Sequence, residues 1–288
     1  MLLLVILAGL GSALLMAVGF VVQQHTAEQA PSSERLRPKL LLDLLRRPIW
    51  ILGIATMVVG QLLGALALDH GTLTLVEPLM AANVLFALPL AAAWHRKRLG
   101  RREWVGAVVL MAGLGVFVVA ANPGSARRVQ VGTDAWLTAL LGVAAIVGVA
   151  IAMSRRFRNA ARQATLIAVG AGALYGLQDA LTQRTLELGM TPANLFDSWQ
   201  PYLLVATAVV GLLLAQSAYQ AAPIWASQPA MAATEPVTGI ALGAGLFAQG
   251  LRLSVVPLAF EIAGIAAMIA GIVLVAGSAV VTAPASAA

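Results

Sequence analysis

Three carboxylates sit where an ionised group is hardest to keep. Glu77, Asp179 and Glu235 lie well inside long apolar runs, while the remaining acids fall in loops or near the ends of those runs. In hydrocarbon a charged side chain costs about 2.5–3.5 kcal/mol on insertion scales, so it usually lines a cavity or a pathway. No lysine or arginine lies deep in a run, Arg184 being near the end of one. Desolvation then favours the protonated acid, and a carboxyl that alternates between neutral and charged forms suits the carriage of a proton or a cation. Glu77 and Glu235 are each followed by proline, Pro78 and Pro236, and Gln228 precedes Pro229. Proline removes a helical hydrogen bond and leaves a carbonyl without its donor. Broken helices beside polar groups in both halves of a chain point to a central binding site. The same dipeptides also suit a packing kink, with each glutamic acid protonated and bonded to a nearby carbonyl.

The neutral polar residues inside the runs are Gln61, Asn83, Tyr175, Gln178, Gln216, Tyr219, Gln220 and Gln228. Gln216, Tyr219 and Gln220 share a helix face by their i, i+3, i+4 spacing. Such a set lines a polar cavity for a solute, or else makes inter-helix hydrogen bonds worth ~0.6 kcal/mol on average. Nothing forms a catalytic constellation. The chain has no cysteine, which excludes disulfides, thiolate metal sites and a cysteine nucleophile. His25, His70 and His95 are dispersed without metal-ligand spacing, and no phosphate-cradling G-x-x-x-x-G-K-[ST] loop is present. The expectation is a protein that is not an enzyme, with no cofactor and no resident metal, driven by a gradient or by the solute itself.

The elements that must position these residues follow from composition. Of 288 residues, 60% are hydrophobic and 10% charged, against about 25% charged in soluble domains. A soluble enzyme, a disordered chain and a disulfide scaffold are excluded; the fold class is all-α, a polytopic helical membrane protein whose first partner is the lipid bilayer. Apolar runs bounded by turn and charge signals give nine spans, at 2–24, 48–68, 72–94, 104–121, 135–153, 165–186, 200–221, 224–249 and 255–280. The amphipathic stretch 35–47 has too few apolar residues to cross and is expected as a helix in the interface. Most of the 18 Lys and Arg residues fall in the loops after spans 1, 3 and 5. That asymmetry puts those loops in the cytoplasm, the N-terminus outside and the C-terminus inside, in the plasma (cell inner) membrane. The net charge of +6 is explained by the same loops, and without interleaved aromatics it does not point to nucleic acid. A first span that begins next to Met1 with no charged leader fits a cleaved signal peptide poorly. The six tryptophans, Trp50, Trp94, Trp104, Trp136, Trp199 and Trp225, lie near span ends, where interfacial anchors are expected.

A duplication organises the spans. Residues 55–63, ATMVVGQLL, reappear at 206–214 as ATAVVGLLL, and the same offset carries PLMAAN at 78–83 onto PAMAAT at 229–234. At a shifted register Glu103 and Gly106 pair with Glu261 and Gly264, and Ala112-Gly113 with Ala270-Gly271. Spans 1–4 (residues 1–122) and spans 6–9 (165–288) are therefore read as two four-helix repeats, joined by a linking span 5 within 123–164. A displacement of five helices inverts each copied helix. Inverted repeats give two nearly equivalent packings, one open to each side, about a central site. Glycine clusters, among them Gly9-Leu10-Gly11 and Gly170-Ala171-Gly172, suit close helix packing, and a homodimer is compatible with the pattern.

The repeats, with GTLTLVEPL at 71–79 followed by LGRREWVG at 99–106, resemble the drug/metabolite transporter superfamily. Within it the chain resembles the nine-span NIPA-like magnesium-transporter branch as much as the ten-span EamA-type exporters, through Trp50-Ile51-Leu52-Gly53, Gly60-Gln61 and the stretch TLVEPL at 74–79. The NIPA-like pattern favours Glu where this chain has Gln61, so the resemblance implies one acidic cation ligand fewer. It also implies a small-solute carrier without a bound cofactor, with a small molecule or a cation as substrate. The first reading is a secondary transporter, a gradient-coupled metabolite or drug exporter (efflux) working by alternating access. A NIPA-like divalent-cation permease and a non-transporting membrane scaffold are the alternatives.

Overall fold

The computed structural model describes residues 2–70, 79–80, 82–96, 98–121, 131–188, 196–247 and 255–276. All regular structure among them is helical. In chain order the helices are α1 (Leu2–Glu28), α2 (Pro38–Leu45), α3 (Pro48–His70), α4 (Asn83–Trp94), α5 (Arg101–Ala121), α6 (Thr133–Ser154), α7 (Ala160–Leu188), α8 (Gln200–Ala221), α9 (Ile224–Phe247) and α10 (Val255–Ala276). Eight are long and apolar enough to cross a membrane; α4, at 12 residues, is shorter, and Leu79 and Met80 just before it are helical too. The chain is a multi-pass helical membrane protein. Large apolar side chains such as Leu52, Val58 and Leu62 of α3, Leu137 and Leu141 of α6, and Phe260 and Ile262 of α10 stay exposed, as lipid-facing surfaces must. α7 is the most enclosed span and α6, the expected linking helix, among the least.

Helix bounds differ from the sequence expectation mainly at the ends. α1 runs on to Glu28 because Gln23 and Gln24 there are buried among protein partners rather than exposed to headgroups. The expected interfacial helix over 35–47 is helical only from Pro38 to Leu45. Arg37 before the proline is extended, as pre-proline residues are, and Leu36 adopts φ 60°. Leu40 and Leu44, one turn apart, are fully buried while Leu42 and Leu45 are exposed, so α2 is pinned to the protein by one face.

Helix contacts form a patterned bundle. α1 packs along α3 and α4; α7 packs along α8 and α9; α5 packs along α10. Glycines set the closest approaches. A side chain on Gly106 would meet the Gly271 carbonyl at 3.0 Å, and one on Gly113 the Gly264 carbonyl at 2.7 Å. As the residue number falls along α10 it rises along α5, so these two helices run antiparallel, with each pair of matched glycines facing the other. On α7, a side chain on Gly172 would strike the Met231 carbonyl at 2.9 Å, and one on Gly176 the Glu235 carbonyl at 2.6 Å. Not every glycine serves packing: nothing lies within 4 Å of the position a side chain would take at Gly142 or Gly245.

The ends of α1, α4 and α8 and the starts of α7 and α9 meet at one end of the bundle. Trp94 Nε1 donates to His25 Nδ1 at 3.1 Å, His95 meets the edge of Trp225 at 6.0 Å, and Arg35 donates to Gln163 Oε1 at 3.1 Å. The three basic loops are thus gathered on one side. Three of the tryptophans are interior rather than interfacial: Trp50, Trp136 and Trp225 are buried, whereas Trp94, Trp104 and Trp199 are exposed. Trp50 donates to Gln216 at 3.2 Å, and Trp136 stacks edge-on against Trp199 and Phe247. An indole near a span end is apolar enough to serve either place.

Candidate functional site

Close packing of α9 on α7 brings two of the three acids into one place. With no side chains at Gly172 and Gly176, the α9 backbone at Met231 and Glu235 comes against α7. One turn further, Asp179 Oδ2 lies 3.4 Å from where a side chain on Gly239 would begin. Asp179 and Glu235 therefore project from touching helices, and both line a cavity of about 310 Å³ inside the bundle. Gln61 of α3, Asn83 of α4, Tyr175 of α7, Tyr219 of α8, and Gln228 and Pro236 of α9 line the same cavity. Both halves of the chain contribute.

Several polar groups there are already fixed. Tyr219 donates its hydroxyl to Gln228 Oε1 at 2.9 Å, with both side chains buried. Asn83 donates to the Met80 carbonyl at 3.1 Å, while its Oδ1 is buried with no donor among the described residues. Pro236 has no N–H, so the Ala232 carbonyl one turn earlier loses its helical donor; Ala232 also lines the cavity. The undonated carbonyl follows from the proline alone; the structure adds that its residue stands on the cavity wall. Met16, Phe20, Met80, Leu114 and Val118 supply an apolar part of the lining. Nothing in their sequence surroundings set them apart from ordinary core residues. No three Asp, Glu, His or Cys side chains among the described residues stand close enough together to hold a metal ion.

Glu77 and Pro78 lie outside the described residues. Four other expected site residues are placed elsewhere. Gln178 donates to the Thr207 carbonyl at 3.4 Å, in the α7–α8 interface beside Gly211. Pro229 is buried within α9 and is not on the cavity wall. Gln216 hydrogen-bonds Gln23 of α1 and accepts from Trp50; Gln220 donates to the Ala30 and Pro31 carbonyls at 3.2 and 2.7 Å. The Leu36 amide donates to Ser217 Oγ at 3.0 Å. Together these contacts form a clasp that ties α8 to α1 and to the segment before α2. Glu34 in that segment is buried and pairs with Lys39 at 2.7 Å, a hydrogen bond that raises the Lys39 ammonium above its ordinary pKa.

The comparisons with known proteins agree with a membrane carrier. An uncharacterized protein of Corynebacterium glutamicum is 31% identical over 246 residues, covering 84% of this chain and 83% of its own length. A protein of Arabidopsis thaliana described as a probable magnesium transporter NIPA3 is 24% identical over 214 residues, 70% of this chain and 58% of its own. A probable magnesium transporter of Candida albicans is 32% identical over a shorter 81 residues, 28% of this chain and 22% of its own. No solved structure matches. The sequence pattern described as Magnesium transporter NIPA matches residues 2–279, and the EamA-type exporters are not among these matches. A bundle of apolar helices around an acidic cavity, matched along almost its whole length, belongs to the NIPA magnesium transporter family.

Proposed function

We propose that this chain moves a divalent cation, magnesium, across the plasma membrane by alternating access through the cavity between its halves. The observation that carries the reading is the convergence of Asp179 and Glu235, from α7 and α9, on one chamber within the bundle. Ionisable side chains at membrane depth mark substrate and ion pathways, and carboxylates are favoured ligands of hard divalent cations. The printed descriptions of the Arabidopsis thaliana and Candida albicans relatives support magnesium as the cargo. On this reading residues 1–122 and 165–288 are inverted repeats about the linking α6; the antiparallel pairing of α5 with α10 supports that division. The N-terminus is outside, the basic loops are cytoplasmic, and the clasp between α1 and α8 closes the cytoplasmic end. Glu77 is a third acidic candidate on sequence grounds alone.

The test is magnesium uptake into liposomes holding the purified chain, followed with an enclosed magnesium-sensitive dye. Asp179→Asn and Glu235→Gln each keep the shape and remove the charge. Each is expected to lower kcat/KM by about tenfold or more, the scale of one hydrogen bond to a charged group. Wild-type rates in the double variant would remove this site from the pathway. A second reading, an exporter of organic cations, is favoured by the apolar wall of Met16, Phe20 and Leu114. It predicts proton-driven flux of a lipophilic amine and no magnesium uptake.

A further inference from the structure

We propose that the cavity takes its ion with the water shell on, so that the bound cargo is a hydrated divalent cation held through its waters rather than by direct protein ligands. This rests on the magnesium reading above and specifies what the site recognises. Magnesium takes six oxygens at ~2.0–2.1 Å in near-octahedral array and gives up water reluctantly. Stripping the ion of its whole water shell would require a cage of protein oxygens converging on one point. Among the described residues no group of three acidic, histidine or cysteine side chains is gathered that way. The chamber, at about 310 Å³, is also far larger than a bare ion. Six waters at ~30 Å³ each fill about 180 Å³, so the complete hydrated ion fits with room to enter and leave.

The lining chemistry agrees. Waters bound to a cation turn their hydrogens outward, so walls that hold a hydrated ion must offer acceptors. Asp179 and Glu235 supply two carboxylates, matching a charge of two, and Gln61 supplies an amide. Asn83 lines the same chamber with an amide oxygen that no described group donates to. The Ala232 carbonyl, released from the helical ladder by Pro236, adds a backbone acceptor on the α9 side. A neutral Gln61 fits this arrangement too, because an outer-sphere partner needs a lone pair rather than a charge.

Hexaamminecobalt(III) discriminates between the two modes of binding. It has the size and outward N–H donors of a hydrated cation, yet its ligands do not exchange, so direct coordination to protein is closed to it. The full chain in liposomes is assayed for magnesium uptake with increasing hexaamminecobalt, and the purified chain is dialysed against the complex and its cobalt content measured. Expected is competition, with a raised apparent KM for magnesium and unchanged maximal rate. Cobalt binding should weaken about tenfold or more in Asp179→Asn and in Glu235→Gln, each checked for monodispersity. Magnesium uptake that persists undiminished under excess hexaamminecobalt, with no cobalt retained, overturns the hydrated-ion inference and leaves the magnesium reading standing. Absence of magnesium uptake by a monodisperse wild-type chain overturns both. Cobalt binding that is equal in wild type and both variants places the complex elsewhere and also overturns the inference.

Discussion

Tyr219 and Gln228 hold each other inside the cavity wall, and the pair is small enough to test without dismantling the site. Tyr219→Phe removes one hydroxyl and leaves Gln228 Oε1 without its 2.9 Å donor. In a dry core that would cost about 1–3 kcal/mol. Both residues line a chamber of about 310 Å³, however, so water can replace the phenol, and inter-helix bonds within membranes average only ~0.6 kcal/mol. The smaller figure should govern. Thermal unfolding in detergent should fall slightly, and KM for magnesium should rise roughly threefold, the equivalent of ~0.6 kcal/mol, with kcat kept. A collapse of kcat instead would make the phenol a direct partner of the cargo. This residue also shows where sequence legibility stopped. Gln216, Tyr219 and Gln220 share a stripe, but a stripe about 100° wide touches more than one neighbour. Tyr219 looks onto the cavity, while Gln216 and Gln220 look onto α1 and the segment before α2. Periodicity locates a polar face; it does not say which of two adjoining helices that face meets. Asp179 and Glu235 were legible because an acid placed within an apolar run is itself the signal, and an apolar wall such as Met16 and Leu114 sends none.

At the scale of elements the glycine contacts make opposite predictions for chemically identical changes. Gly113→Ala puts a methyl 2.7 Å from the Gly264 carbonyl and 2.8 Å from the Met268 amide nitrogen. Both are backbone atoms that cannot rotate away, so α5 and α10 must part, at a cost typical of overpacking, about 1–3 kcal/mol. Gly142→Ala on α6 meets nothing within 4 Å and should be neutral or stabilising by up to about 1 kcal/mol, since alanine is the better helix former. Thermal unfolding of the purified variants separates the two; equal shifts for both would mean that the α5–α10 contact is not tight. Where the expected span bounds fall on described residues they needed little structural help, because hydrophobic length and charged punctuation determine them; 72–78, 248–249 and 277–280 lie outside the described residues. The segment 35–47 needed more. Its amphipathicity was legible, but the left-handed Leu36, a conformation costing about 1–2 kcal/mol, is held by the Ser217 hydroxyl from another helix. A tertiary partner of that kind has no trace in local sequence.

At the scale of the whole molecule, the described residues pack unevenly. α1 meets α8 closely at the end that bears the basic loops, while among the described residues α3 makes no comparable contact with α7. A clasp at the end that bears the basic loops is what a carrier closed at that face should show. Opening that face requires Gln216 to leave Gln23 and Trp50, and Gln220 to leave the Ala30 and Pro31 carbonyls. A chain with no cysteine allows this to be arrested chemically. Gln23→Cys with Gln216→Cys, bridged by a short bifunctional thiosulfonate, should stop magnesium uptake and recover it on reduction. Each single variant treated in the same way should transport as it did untreated, which separates the bridge from the loss of the glutamines. Uptake that continues through a demonstrably bridged pair would make the clasp a fixed joint, and the moving boundary between the halves would then have to lie elsewhere in the bundle.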